Sequence, residues 1–432
     1  SRPMSGPLRK AEALPNIHTL KNGVRVVCDP IDGLETLALS VVAGRGARSE
    51  DEARSGWSHL LEHMVFKGAG DRSARDIVEV IEAEGGQINA ATGYERTSFQ
   101  IRALKGGLDL GSSVVADLVL RPTMDAGDLA REIQVVGQEI AEAADTPDDH
   151  VFEMAQDAAF HGQPLGRPIL GTDESIGRAD PGALSAWRSA LYAPDALVIC
   201  ASGAVDEDEL LALAERDFGA AAGQGACEPA AAAFVGGVRT TPKALEQANL
   251  VFLLPAVGVR EETYFALRLY AEILGGGMAS RLFQEAREKR GLAYAVDAYS
   301  ETYADTGVLG VFAGCAAKDA VELAKVAAEE IKGMAGGVQA AELARAKAQL
   351  KASMFMAREQ PLSRAEQAAA QVLLFDRTLP PAELAAQIDA VEAADIARLG
   401  AQMLSPGAAA ASILGPKGAM KAGEAFHRAL FG

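Results

Sequence analysis

The sequence predicts an α+β protein of two similar domains, each an antiparallel sheet packed against helices, and three observations carry that prediction. The chain has 432 residues, more than one hydrophobic core ordinarily organises, so two or more domains are required. Residues 219–236 are rich in alanine and glycine, contain one proline and show no period, and they read as a linker between a first domain, 1–218, and a second, 237–432. The two flanking halves repeat a similar order of helices and strand pairs, offset by 205 residues when Gly86 is laid on Gly291.

The elements follow in order. Strand-like runs at 24–28 and 36–42 open the chain. A helix comes next, with Ser55 as its expected N-cap, Gly68 as its expected stop, and an apolar side made by Leu60, Leu61, Met64 and Val65. A second helix at 74–84 is ended by Gly85-Gly86, and strands at 87–92 and 97–103 follow. Helices at 108–120 and 126–144 complete this stretch. In the second half, strands near 293–299 and 307–313 precede helices rich in alanine, glutamate and lysine.

Hydrophobic residues are 49% and charged residues 23% of the chain, as in soluble globular proteins. The net charge of −18 disfavours nucleic acid and favours cationic partners. Cys28, Cys200, Cys227 and Cys315 are far apart and form no C-x-x-C pair, so buried free thiols are expected in place of disulfides. No apolar run is long enough to span a membrane. Residues 1–6 lack the apolar core of a signal peptide, so the expected compartment is the cytoplasm, with the bacterial periplasm as the alternative if a leader was removed.

The chemistry is concentrated in His59-Leu60-Leu61-Glu62-His63. On a helix these spacings put two imidazoles and one carboxylate on one face. Two such histidines can grip one zinc ion, and the carboxylate is left to move a proton. The order H-x-x-E-H reverses the common H-E-x-x-H motif and is the inverzincin pattern, which points to a zinc-dependent peptidase. Zinc in a hydrolase needs three protein ligands and one open position, so a third ligand must come from elsewhere. His18, His150, His161 and His427 have no metal spacing.

The run from His59 to Gly68, His59-Leu60-Leu61-Glu62-His63-Met64-Val65-Phe66-Lys67-Gly68, resembles the active-site helix of the M16 metallopeptidases. Chain length and residues 84–92 are most similar to the processing-peptidase branch of that family. The resemblance implies that Glu139, in Gln138-Glu139-Ile140, is the third ligand of one zinc ion per chain. It also implies that Glu132 supports the site. Seven residues are close to two helical turns, so the two glutamates share a face, and Glu132 is expected to orient a histidine ring or the site water. Glu62 is the expected general base that activates the zinc-bound water.

The same resemblance makes Gln87-Ile88-Asn89-Ala90-Ala91-Thr92 an edge strand whose Asn89, Ala90, Ala91 and Thr92 hold an extended peptide. In the second half it implies that Arg287 holds substrate backbone and that Tyr294 donates to the developing oxyanion. Gly275-Gly276-Gly277-Met278 is a loop placed to touch substrate, and without a G-x-x-x-x-G-K pattern it is no phosphate cradle. The implied assembly is half of a clam-shell dimer, a homodimer or else a heterodimer with a related chain. It would enclose an unfolded peptide substrate of limited size, with basic peptides suiting the acidic chain. A non-catalytic structural or binding subunit is the competing class. At an offset of 205 the two histidines fall on Tyr264 and Arg268, so the second domain is expected to lack metal ligands.

Overall fold

The fold is that of a computed structural model describing residues 14–223, 225 and 228–432, so the N-terminal residues read for a signal peptide, and Cys227, lie outside the described residues. The first half runs β1 (Ile17–Thr19), β2 (Arg25–Pro30), β3 (Thr36–Ala43), α1 (Trp57–Val65), β4 (Gly68–Ala69), β5 (Arg72–Ser73), α2 (Ala74–Ala83), β6 (Gln87–Thr92) and β7 (Thr97–Leu104). It continues through α3 (Leu108–Leu120), α4 (Ala126–Asp145), α5 (Pro147–Ala159), α6 (Asp173–Gly177), α7 (Pro181–Leu191), β8 (Leu197–Gly203) and α8 (Glu207–Phe218). The second half begins with β9 (Gly237–Pro242), β10 (Ala248–Ala256), α9 (Tyr264–Gly275), a π-helical segment Phe283–Lys289, β11 (Ala295–Thr302) and β12 (Gly307–Cys315). It closes with α10 (Ala320–Ala335), α11 (Ala340–Ala357), α12 (Pro361–Phe375), α13 (Pro381–Asp389), α14 (Ala393–Leu404), β13 (Ala410–Gly415) and α15 (Ala422–Phe431).

Local chemistry explains the elements around the site. Ser73 and Asp76 form a reciprocal capping box that starts α2. Gly85, at φ 75°, adopts the left-handed conformation just after that helix ends. In β7 the alternate residues Phe99, Ile101 and Ala103 are buried, and the residues between them face outward.

The first sheet has the order β1-β2-β8-β3-β7-β6 and the second β11-β12-β10-β13-β9. Neither is purely antiparallel, which corrects the sequence expectation. β2 pairs with β8 in parallel, and so do β13 and β9. Parallel neighbours need a long crossover, and the helical stretch before β8 supplies one.

Each sheet is covered on both faces, and the halves exchange a helix to achieve it. α12, from the second half, sets Ala365, Ala369 and Val372 against Val27, Val198 and Cys200 of the first sheet. α5, from the first half, sets Val151, Ala155 and Ala158 against Val251, Leu253 and Ala410 of the second. Charge pairs secure the exchange. Arg364 on α12 grips both oxygens of Asp29 at 2.8 Å. The buried Arg48 holds Asp305 at 2.6 and 2.9 Å.

The repeat is real in order but not in spacing. Trp57 to Tyr264 is an offset of 207, and Thr97 to Gly307 one of 210, so short insertions separate the halves where the sequence suggested a constant 205. No helix or strand is formed by the described residues between Phe218 and Gly237. Cys28, Cys200 and Cys315 are free and buried, and burial pushes the Cys28 thiol up to about 12. Among the described residues no helix is long and apolar enough to cross a membrane.

Candidate metal centre

Helix α1 buries Trp57, Leu60, Leu61, Met64 and Val65 in the first core, which leaves His59, Glu62 and His63 on its other side. Its start differs from the expectation. The N-cap is Gly56, not Ser55, because Gly56 takes a left-handed φ of 85° where the chain presses on Leu170 and Gly171. The helix ends at Val65, short of the expected stop at Gly68, which instead enters β4.

Helix α4 packs against α1. It is started by the Asp125 side chain, which accepts from Asp128 N. Leu129, Glu132 and Val136 form its buried face, and Glu139 follows one turn later, half-buried.

This packing brings one donor atom from each of His59, His63 and Glu139 within 4.8 Å of one another, and they are the only such group of three or more among the described residues. His63 Nε2 lies 3.1 Å from Glu139 Oε1, and His59 Nε2 lies 3.5 Å from Glu139 Oε2. The two imidazoles meet edge to face at 4.7 Å. Burial, then the neighbouring His63, pushes His59 down to about 4. The ring is therefore neutral at neutral pH, with a lone pair to offer. Two imidazole nitrogens and one carboxylate converging in this way fit the donor set of zinc.

A second carboxylate stands behind the first. Glu132 is buried and accepts from His63 Nδ1 at 2.9 Å, while Lys67 Nζ reaches its other oxygen at 3.0 Å. Lys67 had no role assigned from sequence; it lies just beyond the end of α1, and its ion pair with Glu132 brings it to the site.

Glu62 is not one of the metal-donor group. It faces β6, where Thr92 Oγ1 donates to its Oε1 at 2.7 Å. Thr92 was named from sequence for its backbone, and this side-chain role was missed. Among the described residues β6 is the edge of the first sheet and pairs only with β7, from Gln87↔Arg102 to Thr92↔Thr97. Its other side presents unpaired backbone groups. Asn89 and Ala91 are exposed, Ala90 is half-buried, and the Asn89 side-chain oxygen is taken by Ala90 N at 2.9 Å. A cavity of about 710 Å³ opens beside the strand, lined by Glu62, His63, Phe66, Lys67, Asn89 and Arg102. A larger cavity of about 1180 Å³ lies mostly in the second half, lined by Tyr264, Arg268, Leu350 and Leu384, and contains none of the metal-donor residues. Size therefore does not locate the chemistry; donor convergence does.

Arg287 and Tyr294 are not in the donor group. Arg287 lies over the Phe283 ring at 4.9 Å, and Tyr294 is 60% exposed with its N–H on Gly314 O. These contacts stay within the second half. Gly275, expected in a loop, is instead the buried last residue of α9, and the turn that follows carries the exposed Met278. Tyr264 and Arg268 bond to each other at 3.0 Å, so no metal donors stand at those positions.

Known proteins share both the sequence and the fold. The family model described as "Insulinase (Peptidase family M16)" matches residues 26–173, and the one described as "Peptidase M16 inactive domain" matches residues 178–350. An "uncharacterized zinc protease" of Rickettsia bellii is 34% identical over 402 residues, 93% of this chain and 97% of that protein. A protease from Helicobacter pylori superposes with a TM-score of 0.85 at 20% identity, covering 94% of this chain and 100% of its own. A chain of complex III2 from Candida albicans does so with a TM-score of 0.83 at 20% identity, covering 96% and 99%.

Proposed function

This chain belongs to the M16 (insulinase) family of zinc proteases, and on that premise we propose that it is an endopeptidase that cuts unfolded peptides of limited size. The observation that carries the reading is that three metal donors converge beside a carboxylate hydrogen-bonded to an edge strand. His59, His63 and Glu139 would hold zinc. When bound there, zinc supplies a Lewis acid that acidifies the attacking water and polarises the scissile carbonyl.

The chain's own residues do the rest. Glu132 accepts a hydrogen bond from His63 Nδ1–H, which leaves Nε2 as the lone-pair donor. Glu62 is held at one oxygen by Thr92 and keeps the other for a proton. It takes that proton from the attacking water and returns it to the departing amine. β6 binds the peptide backbone as an added strand, largely independent of side chains. Because Thr92 is on that strand, one hydrogen bond fixes the base relative to the bound peptide. Arg287 would hold substrate backbone and Tyr294 would donate to the developing oxyanion.

One chain that carries both the donor set and the Arg287/Tyr294 pair suits a homodimer enclosing a chamber, nearest in kind to the processing-peptidase branch. The charge of −18 suits basic peptides. A non-catalytic subunit is the second reading, in keeping with the match of residues 178–350 to the model described as "Peptidase M16 inactive domain"; the complete donor set stands against it.

Metal analysis of the purified protein, with cleavage mapping on a basic, unstructured quenched peptide and a mass measurement, tests the proposal. One zinc per chain and cleavage abolished by chelator and restored by zinc are expected. Protein that stays metal-free when zinc is supplied, or that loads zinc and cuts nothing, refutes the endopeptidase reading.

A further inference from the structure

Helix α1 begins without a cap of its own. The first N–H groups of any helix lack intrahelical partners, and its N-cap, Gly56, has no side chain to serve them. A larger residue could not stand there, since a Cβ on Gly56 would lie 2.4 Å from Leu170 O. Two of these donors are satisfied from outside the helix. Glu50 Oε1 accepts from Gly56 N at 3.0 Å, and Glu50 Oε2 accepts from Ser58 N at 2.7 Å.

Glu50 is well placed to hold them. It is 4% exposed. Its backbone N–H is bound to Ala47 O, and its carbonyl accepts from Arg167 Nη2 at 2.9 Å. Ser58 is fixed a second way, because its Oγ accepts from Trp187 Nε1 at 3.1 Å.

Ser58 immediately precedes His59, and the two histidines are not supported alike. The His63 ring is fixed through Nδ1 by Glu132. His59 Nδ1 is buried and has no hydrogen-bond partner among the described residues. Rings that bind a metal are ordinarily oriented by a bond at the far nitrogen. His59 has none, so its place is set by the backbone of α1 and by packing.

We propose that Glu50 is a positioning residue for the metal: its carboxylate clamps the first turn of α1 and so sets His59 Nε2 opposite Glu139. The inference rests on the zinc reading above. A glutamine at position 50 would turn a donor amide towards one of the two N–H groups it must accept. An aspartate, one methylene shorter, would span only one of them.

The test uses the full chain, with zinc dissociation constants from chelator competition, the unfolding midpoint of the metal-free protein, and kcat and KM measured side by side. Glu50→Gln is expected to fold and to bind zinc roughly 10–100-fold more weakly. At saturating zinc its KM for peptide should be near normal. Glu50→Asp should weaken zinc in the same direction, and it carries the test if the glutamine variant fails to fold. Leu213→Ala, a buried change in the same core, is the control for general destabilisation and should leave zinc affinity intact. Zinc affinity within about two-fold of wild type in a folded Glu50 variant overturns the proposal. So does an equal loss in Leu213→Ala. Wild-type protein that binds no zinc removes the zinc reading together with this one; wild-type binding with unchanged variants removes only this one.

Discussion

Replacing Glu132 by alanine separates a metal site from a merely acidic helix face. The carboxylate accepts from His63 Nδ1 at 2.9 Å and pairs with Lys67 at 3.0 Å. In the zinc-bound protein the His63 ring would be locked by its Nε2, so its Nδ1–H would be left without an acceptor. An unpaired buried donor costs about 1–3 kcal/mol. Without metal the ring can turn and escape that cost. Lys67, whose side chain is 41% exposed, moves to water and adds little. The penalty therefore falls on the bound state. At about 1.4 kcal/mol per decade it weakens zinc by roughly 5- to 150-fold. That range brackets the roughly 10–100-fold ordinarily lost with an outer partner of a metal-bound histidine. Chelator competition at neutral pH reads the affinity directly, with unfolding of the metal-free protein as the companion measurement. Unchanged zinc affinity in a folded Glu132→Ala protein would show that Glu132 does not orient His63, and the assignment of α4 as the supporting helix would fail with it.

Glu62→Gln should retain zinc and its bond to Thr92, since an amide oxygen still accepts, yet lose about 10²–10⁴-fold in kcat, the scale of acid–base catalysis; near-normal turnover removes Glu62 as the base. The metal-free protein should also show two opposed pH effects. Burial raises Glu50 from 4.5 to about 7, so the folded state holds more protons between those values and stability falls as pH rises through them. Burial lowers His59 from 6.5 to about 4, so the unfolded state holds more protons there and stability rises with pH. The two nearly cancel in the wild type between pH 4.5 and 6.5. In Glu50→Gln the falling contribution of Glu50 is lost, so the slope in that window should be more positive than in the wild type by at most about 1.4 kcal/mol per pH unit. Denaturant unfolding of both chelated proteins at two pH values within that window measures it, and equal slopes for wild type and Glu50→Gln would show that the Glu50 carboxyl is not raised.

Much of the fold was legible because it is written locally. The spans of β6 and α3 agree with the residues read from pattern, since strand alternation and helix periodicity are properties of a short segment. The cap of α1 was misread for the converse reason. Ser55 has the right side chain, but the chain pressing on Gly56 from Leu170 is 114 residues away and invisible to propensity. The mixed pairing of both sheets and the exchange of α5 and α12 were likewise unseen. Strand direction and helix partners are fixed by crossover and packing.

The site divides along the same line. His59, Glu62 and His63 announce themselves in sequence, because five helical residues carry their own geometry. Glu139 and Glu132 came from a family likeness, since no periodicity connects a helix to another one 76 residues on. Thr92, Lys67 and Glu50 gained their roles only from the structure. By itself the sequence determined which residues lie on one helix face and that two of them could share a metal ion. Only the tertiary structure decided that α4 lays Glu139 against both imidazoles, that the edge strand reaches Glu62, and that a carboxylate from an upstream loop closes the start of the helix. Spacing along one element sets which side chains are neighbours; which elements meet depends on the burial of their apolar faces, and that is a property of the whole chain.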